Sequence, residues 1–266
     1  MNYQPSLKIR TVTATRYVTP LREGGSLPAI VEADDDGLYV LKFRGAGQGV
    51  KALIAELIGG EIARALGLPI PEIVFVNLDA ALGKIEPDPE IQDLLGNSGG
   101  LNLALDYLPG SITFDPLIEI IEPRLASKVV WFDCLITNVD RTARNTNLLV
   151  WHKKLWLIDH GAALFFHHAW QNPEEQSRRP FIQVKNHVLL PFASELETVN
   201  EEFRRLLTPD QIESIVNLIP DEWLTNEPHF ENETRHRAAY VKFLQNRLTA
   251  SEIFVEEAQR ARKTIV

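Results

Sequence analysis

Hydrophobic and polar positions alternate along residues 8 to 18, which are rich in Thr and Val, and this pattern predicts a strand. Two further apolar runs, 29–33 and 38–43, are joined by Asp34-Asp35-Asp36-Gly37. An acidic turn ending in Gly between two such runs predicts a hairpin. On its second strand Leu38, Val40 and Lys42 share one face. The period then changes. Val50, Leu53, Ile54, Leu57, Ile58 and Ile62 recur at helical spacing, and Gly67, Pro69 and Pro71 end the helix near Leu66. Short strands are expected at 73–77 and 101–105, with a long Gly- and Asp-rich excursion over 78–100 between them. Tyr107-Leu108-Pro109-Gly110 breaks the last strand.

Past that break the pattern is mainly helical. A buried helix is predicted from Arg124 to about Thr137, then two short strands at 148–151 and 155–158. Thr208-Pro209-Asp210-Gln211 reads as a helix start with Thr as cap, Pro first and Gln third. Helical patterns follow over 233–248 and 251–263. The expectation is an α+β chain of two lobes: a β-rich lobe with one main helix over 1–108, and a mostly helical lobe over 109–266. Trp131, Phe132, Cys134, Trp151 and Trp156 are expected in the core of the second.

Composition narrows the function classes. The 266 residues are 45% hydrophobic and 24% charged, as in a globular protein, and carry 36 acidic against 27 basic side chains. A net charge of −9 argues against general nucleic-acid binding. A single cysteine excludes an internal disulfide or a cysteine-rich metal site. No apolar run approaches the ~18 residues needed to span a bilayer, and Met1 to Arg10 lacks the apolar core of a secretion signal. A soluble, cytoplasmic protein is expected.

Four features carry chemistry, and each also has a plain structural reading. Gly24-Gly25-Ser26 lies between two strands, where backbone N–H groups can approach a phosphate; an ordinary hairpin loop looks the same. Lys42 sits on an otherwise apolar strand, and Glu56 follows on the next helix. A strand lysine held by a helix glutamate grips nucleotide phosphates in phosphotransferases, although a solvated edge lysine fits too. The rival partner Glu61 lies roughly 140° around the helix from Glu56 and has Arg64 at i+3, a normal surface pair. Asp140 and Asn145 are five positions apart in one loop, which can hold a base near an acceptor hydroxyl and an amide oxygen on a metal, or can simply cap a turn. Asp159 follows an apolar strand and precedes His160-Gly161, a position suited either to ligating Mg²⁺ or to an Asx turn. His160 reads as structural, or as support for its neighbour. Arg141 and Arg144 could contact phosphate or pair with nearby acids. No Gly-x₄-Gly-Lys-Ser/Thr or Gly-x-Gly-x-x-Gly loop is present.

The joint order of Gly loop, strand Lys, helix Glu, break, Asp-x₄-Asn and Asp-x-Gly resembles the protein-kinase-like fold. The nearer resemblance is to its atypical HipA-like kinase branch. The stretch Glu56 to Pro71, with its Glu, Gly-Leu and Pro, is similar to that family's helix and selects Glu56 over Glu61. The resemblance covers about residues 20 to 165 and implies ATP and Mg²⁺ as cofactors. It implies that Lys42 contacts the α/β-phosphates, held by Glu56, and that Gly24, Gly25 and Ser26 cover the phosphates. Asp106 and Tyr107 would border the adenine. Asp140 would orient or deprotonate the acceptor, and Asn145 and Asp159 would hold the metal. The implied acceptor is a Ser/Thr hydroxyl of a protein. A small-molecule hydroxyl, or a non-catalytic nucleotide-binding module docking to a regulatory partner, are the alternatives. The chain departs from protein kinases in having Asn138-Val139 before Asp140, Asp-His-Gly at the metal motif and no Ala-Pro-Glu. It is also expected to lack the extra N-terminal subdomain of longer family members.

Overall fold

The computed structural model describes residues 8–21, 27–225 and 227–265. Gly24, Gly25 and Ser26 lie outside the described residues.

Five strands close into a barrel. They are β1 (Thr11–Pro20), β2 (Ala29–Ala33), β3 (Leu38–Lys42), β4 (Ile73–Leu78) and β5 (Gly100–Asp106), in the order β1-β2-β3-β5-β4. β1 closes the ring by pairing parallel to β4, while the other neighbours are antiparallel. Alternation assigns the faces as the sequence predicts. Tyr39 and Leu41 point into a barrel core with Val31, Val74, Val76 and Ala104, and Val40 and Lys42 lie on the opposite, half-buried face of β3. The Asp34–Gly37 turn is more than a solvated tip: Asp35 accepts from Arg10 at 2.7 Å and from Tyr39 at 2.8 Å.

Helix α1 (Val50–Ala65) follows β3. From Leu53 to Ala63 every residue is buried, glutamates included, because the helix lies between barrel and helical region and meets protein on all sides. Glu61 is therefore no surface pair. It is buried while bonding Arg64 at 3.1 Å. The 78–100 excursion is structured too. A 3₁₀ turn over Ala80–Ile85 leads to α2 (Pro89–Asn97), started by the Asp88 carboxylate accepting from the Glu90 N–H. The polar composition hides this helix because only Ile91 and Leu95 are buried.

Helix α3 (Pro123–Ile136) anchors the helical region. Trp131 and Phe132 are fully buried; Trp131 meets Phe203 and Phe254 edge-on at 5.1 and 5.5 Å and donates to Asn200 at 2.8 Å. Cys134 is buried beside them. Trp151 and Trp156 are only half-buried, since they lie on a small sheet of β6 (Ile112–Thr113), β7 (Leu148–Trp151) and β8 (Lys154–Leu157) at the surface. His152 and Lys153, both left-handed, turn β7 into β8 as a two-residue hairpin.

The remaining helices are α4 (Pro173–Ser177), α5 (Leu196–Leu206), α6 (Pro209–Val216), α7 (Asp221–Leu224), α8 (Glu233–Thr249) and α9 (Ser251–Arg262). The start of α6 is the reciprocal Thr208/Gln211 capping box that the sequence predicts. α7 returns to the barrel: Trp223 meets Phe75 edge-on and donates to the Leu101 carbonyl at 3.2 Å. Among the described residues no helix is long and apolar enough to cross a membrane.

Candidate active site

The site lies where β3, α1, the loop after α3 and the loop after β8 converge. Lys42 ends β3, and its Nζ donates to Asp159 Oδ1 at 2.7 Å and lies 3.8 Å from Glu56 Oε2. Burial alone would lower the Lys42 pKa, but the Glu56 and Asp159 charges outweigh it and hold the ammonium protonated. Glu56 is buried, which favours its neutral form. Lys42 and the bonds from His160 reverse this and bring its pKa to about 2.

His160 explains how α1 is fixed. Its backbone N–H donates to Glu56 Oε2 at 2.9 Å, and its ring Nδ1 lies 3.2 Å from Oε1. The glutamate thus joins the strand lysine to the loop carrying Asp159. Gly59 permits this approach, because a Cβ there would lie 2.9 Å from His160 Cβ. Gly59→Ala is expected to gain helix propensity of about 1 kcal/mol but to lose about 1–3 kcal/mol to overpacking. Calorimetry should show a melting temperature a few degrees lower. Displacement of the 159–161 loop should also slow phosphotransfer about tenfold or more.

Asp140 begins the second half of the site. Its Oδ2 accepts from Asn145 Nδ2 at 2.8 Å and Asn147 Nδ2 at 3.2 Å. Burial and the neighbouring Asp159 raise its pKa above the ordinary aspartate value, against these two bonds. Asn145 spends its amide N–H on Asp140, which leaves its oxygen as a possible ligand.

The loop is held by an element absent from the sequence reading. Asp133, buried on α3, accepts from Asn138 Nδ2 at 2.8 Å and Arg141 Nε at 2.6 Å, and lies 2.9 Å from His187 Nε2. Asn138 in turn accepts from the Asp140 N–H at 3.1 Å. Arg141 also donates to the Asn147 carbonyl, and to that of Ile158 at 3.4 Å. It is buried and paired, so it faces the loop's frame rather than a phosphate, whereas Arg144 is exposed. One guanidinium therefore ties the start of the Asp140 loop, its end and the strand leading to Asp159. The spacing Asp133-x₄-Asn138-x₂-Arg141 was the available signal, but it resembles any polar helix end.

Asp106 and Tyr107 sit at the far end of the β3–β5 ladder. Asp106 pairs with Tyr39 and Leu103 with Lys42, so about 10 Å of strand separates Asp106 from the lysine. The Asp106 N–H donates to the Glu72 carbonyl at 2.8 Å and that of Tyr107 to Leu38 at 2.9 Å. Those two N–H groups are thus engaged within the barrel, and a ring bound there would have to use other backbone atoms.

The donors fit a hard divalent cation. Asp159 supplies carboxylate oxygen and Asn145 amide oxygen, the ligand types of Mg²⁺ and Mn²⁺. Among the described residues no three His, Cys, Asp or Glu side chains form a closed metal cage.

The architecture is that of the protein-kinase-like fold. A Helicobacter pylori proinflammatory kinase, CtkA, superposes with a TM-score of 0.54 at 14% identity, covering 96% of this chain and 99% of that one. A Golgi casein kinase with Mn/ADP bound superposes with a TM-score of 0.50 at 13% identity, covering 100% and 76% respectively. A comparison with curated protein sequences finds no match. The chain belongs to the HipA-like kinase family, whose pattern it matches over residues 15–256.

Proposed function

We propose that this chain is an ATP- and Mg²⁺-dependent phosphotransferase that phosphorylates a serine or threonine hydroxyl of a protein. The observation that carries this reading is the convergence of Lys42, Glu56 and Asp159 with the partly desolvated Asp140 beside them. Residues 1–108 and 109–266 would close on the nucleotide from opposite sides. Lys42 would contact the α/β-phosphates, and Gly24, Gly25 and Ser26 would cover them. The Asp106–Tyr107 end of the barrel would border the adenine. Asn145 and Asp159 would hold the metal, which when bound neutralises charge on the phosphates. Asp140 would accept a hydrogen bond from the acceptor hydroxyl. As the hydroxyl oxygen bonds to the γ-phosphorus, the bond to the β–γ bridging oxygen breaks and ADP leaves. The hydroxyl proton passes to the Asp140 carboxylate. We place this activity in the cytoplasm, with a regulatory protein partner compatible with it.

The test is intact-mass spectrometry of the purified protein, alone and with candidate acceptors, after incubation with ATP and MgCl₂. A phosphate added to protein, with stoichiometric ADP, supports the reading. Turnover only on metabolites would move the acceptor to a small molecule. ATP binding with no turnover on any acceptor would make the chain a nucleotide-binding module.

The activity should also depend on pH with a defined sign. Asp140 acts as a carboxylate, and burial raises its pKa. Activity should therefore rise with pH, with the acidic midpoint of kcat/KM above the ordinary aspartate value of 3.8. A midpoint at or below that value would contradict the environment described.

A further inference from the structure

A second feature adjoins the site without belonging to it. Between the 165–183 segment and α8 lies a cavity of about 150 Å³, walled in part by Thr137, Val139, Phe165, Arg179, Phe181 and Arg247. Val139, on its wall, is the chain neighbour of Asp140, the proposed acceptor-binding aspartate. Among the described residues no carboxylate lines the cavity, although the chain has 36 acidic residues against 27 basic ones, and two guanidiniums do.

Arg247 is the informative one. It is only 2% exposed. Its Nε donates to the Cys134 carbonyl at 2.8 Å, and its Nη1 to Arg179 and Ser177 carbonyls at 3.1 and 3.3 Å. Its guanidinium carbon lies 5.1 Å from the Phe254 ring centre. These partners are all neutral. Among the described residues Nη2 has none, and Thr137 Oγ1 on the same cavity is also unpartnered. A clamp on the 177–179 carbonyls accounts for Nε and Nη1, but not for the free Nη2 or for a buried cation without a counter-charge. Burial accordingly lowers its pKa to about 10. At the rim, Arg179 is mostly exposed and, among the described residues, pairs with Glu175, which is itself exposed, and Phe165 and Val139 also expose apolar surface on this cavity.

We propose that this cavity is a subsite for an anionic side chain of the acceptor polypeptide, a carboxylate or a phosphomonoester within about three residues of the accepting hydroxyl. The assignment rests on the protein-acceptor reading above. The volume equals about five water molecules at ~30 Å³ each, enough for either group. Arg247 and Arg179 supply the charge-assisted bonds, and Phe165 and Val139 support the adjoining backbone.

Binding without catalysis tests the subsite independently of the activity. Fluorescent peptides with alanine at the acceptor position carry Asp, phosphoserine or Asn at each of the three flanking positions on either side. Anisotropy without ATP should show at least one anionic register binding about tenfold or more tighter than its Asn counterpart, weakening with salt. Carboxylate and phosphate peptides compared in that register identify the preferred group. Arg179→Glu, an exposed change, should remove most of the preference while leaving ATP affinity unchanged. Arg247→Lys should reduce it as well, and a melting curve alongside separates loss of the subsite from the stability lost with the carbonyl clamp. Equal binding of anionic and neutral peptides would overturn the subsite, as would a preference that survives Arg179→Glu. A preference without phosphate transfer to matched serine peptides leaves the anion-binding subsite standing and overturns the protein-acceptor reading. Transfer without a preference does the reverse.

Discussion

Replacing Asp159 by asparagine is expected to reduce phosphotransfer by about 10³-fold, the scale on which single electrostatic groups act on developing charge. The side chain accepts from Lys42 at 2.7 Å and is the only carboxylate among the two proposed metal ligands. Asparagine keeps its shape and removes the charge. Lys42 would then be left with Glu56 at 3.8 Å as its remaining acidic partner. The fold should tolerate this change better than loss of a fully buried pair, because Asp159 keeps 38% of its side chain exposed and Lys42 retains Glu56 as an acidic partner. Single-turnover transfer of labelled γ-phosphate, with a melting curve alongside, separates the two effects. Retention of even a tenth of wild-type transfer would remove Asp159 from the metal site.

Asp133→Asn is expected to have the opposite profile, with a large loss of stability preceding any effect on chemistry. The carboxylate is fully buried and charge-paired with Arg141, with His187 also on it. Removing one member leaves the Arg141 guanidinium buried and uncompensated, at a cost of about 3–5 kcal/mol. In a chain of this size that lowers the melting temperature by on the order of 10 °C. The pH dependence has a definite sign. Burial raises the Asp133 pKa, but Arg141 and His187 outweigh it and hold the folded-state value well below the unfolded one. The contribution is therefore present above the ordinary carboxylate value of 3.8 and disappears as pH falls below it toward the folded-state pKa. Melting curves of the wild type should show this acid loss, and Asp133→Asn should flatten it. A double-mutant cycle with Arg141→Met measures the coupling. Additive effects would mean that the pair does not act as a unit.

These two aspartates mark a division of labour. Asp159 is half-exposed and sits at the convergence of the loops, so its removal should change the reaction. Asp133 is sealed behind Asp140 and holds the loop through Asn138 and Arg141. It acts on chemistry only through positioning.

The elements most legible in the sequence are those whose neighbours decide them. Alternation over 38–43 places Lys42 on the outer face of β3, and helical spacing over 50–66 produces α1 with Gly67 past its end. The Thr208–Gln211 box starts α6 because all its bonds are local. Local patterning failed where composition misled. The polar 78–100 stretch holds a helix that shows the core only two side chains. Glu61 looks like half of a surface pair yet is buried, because α1 has no solvent side there.

What the sequence by itself determined is therefore the order of the strongly patterned strands and helices, and it singled out Lys42, Glu56, Asp140, Asn145 and Asp159 as the side chains proposed to carry chemistry. Each of these stands in a short, self-contained context. Only the tertiary structure decided what holds those side chains in place. His160 meets Glu56 across 104 positions, His187 meets Asp133 across 54, and Arg247 meets the end of α3 across 113. No periodicity encodes such pairs. They arise when packing buries charged groups and each must find a partner in whatever element has been folded against it.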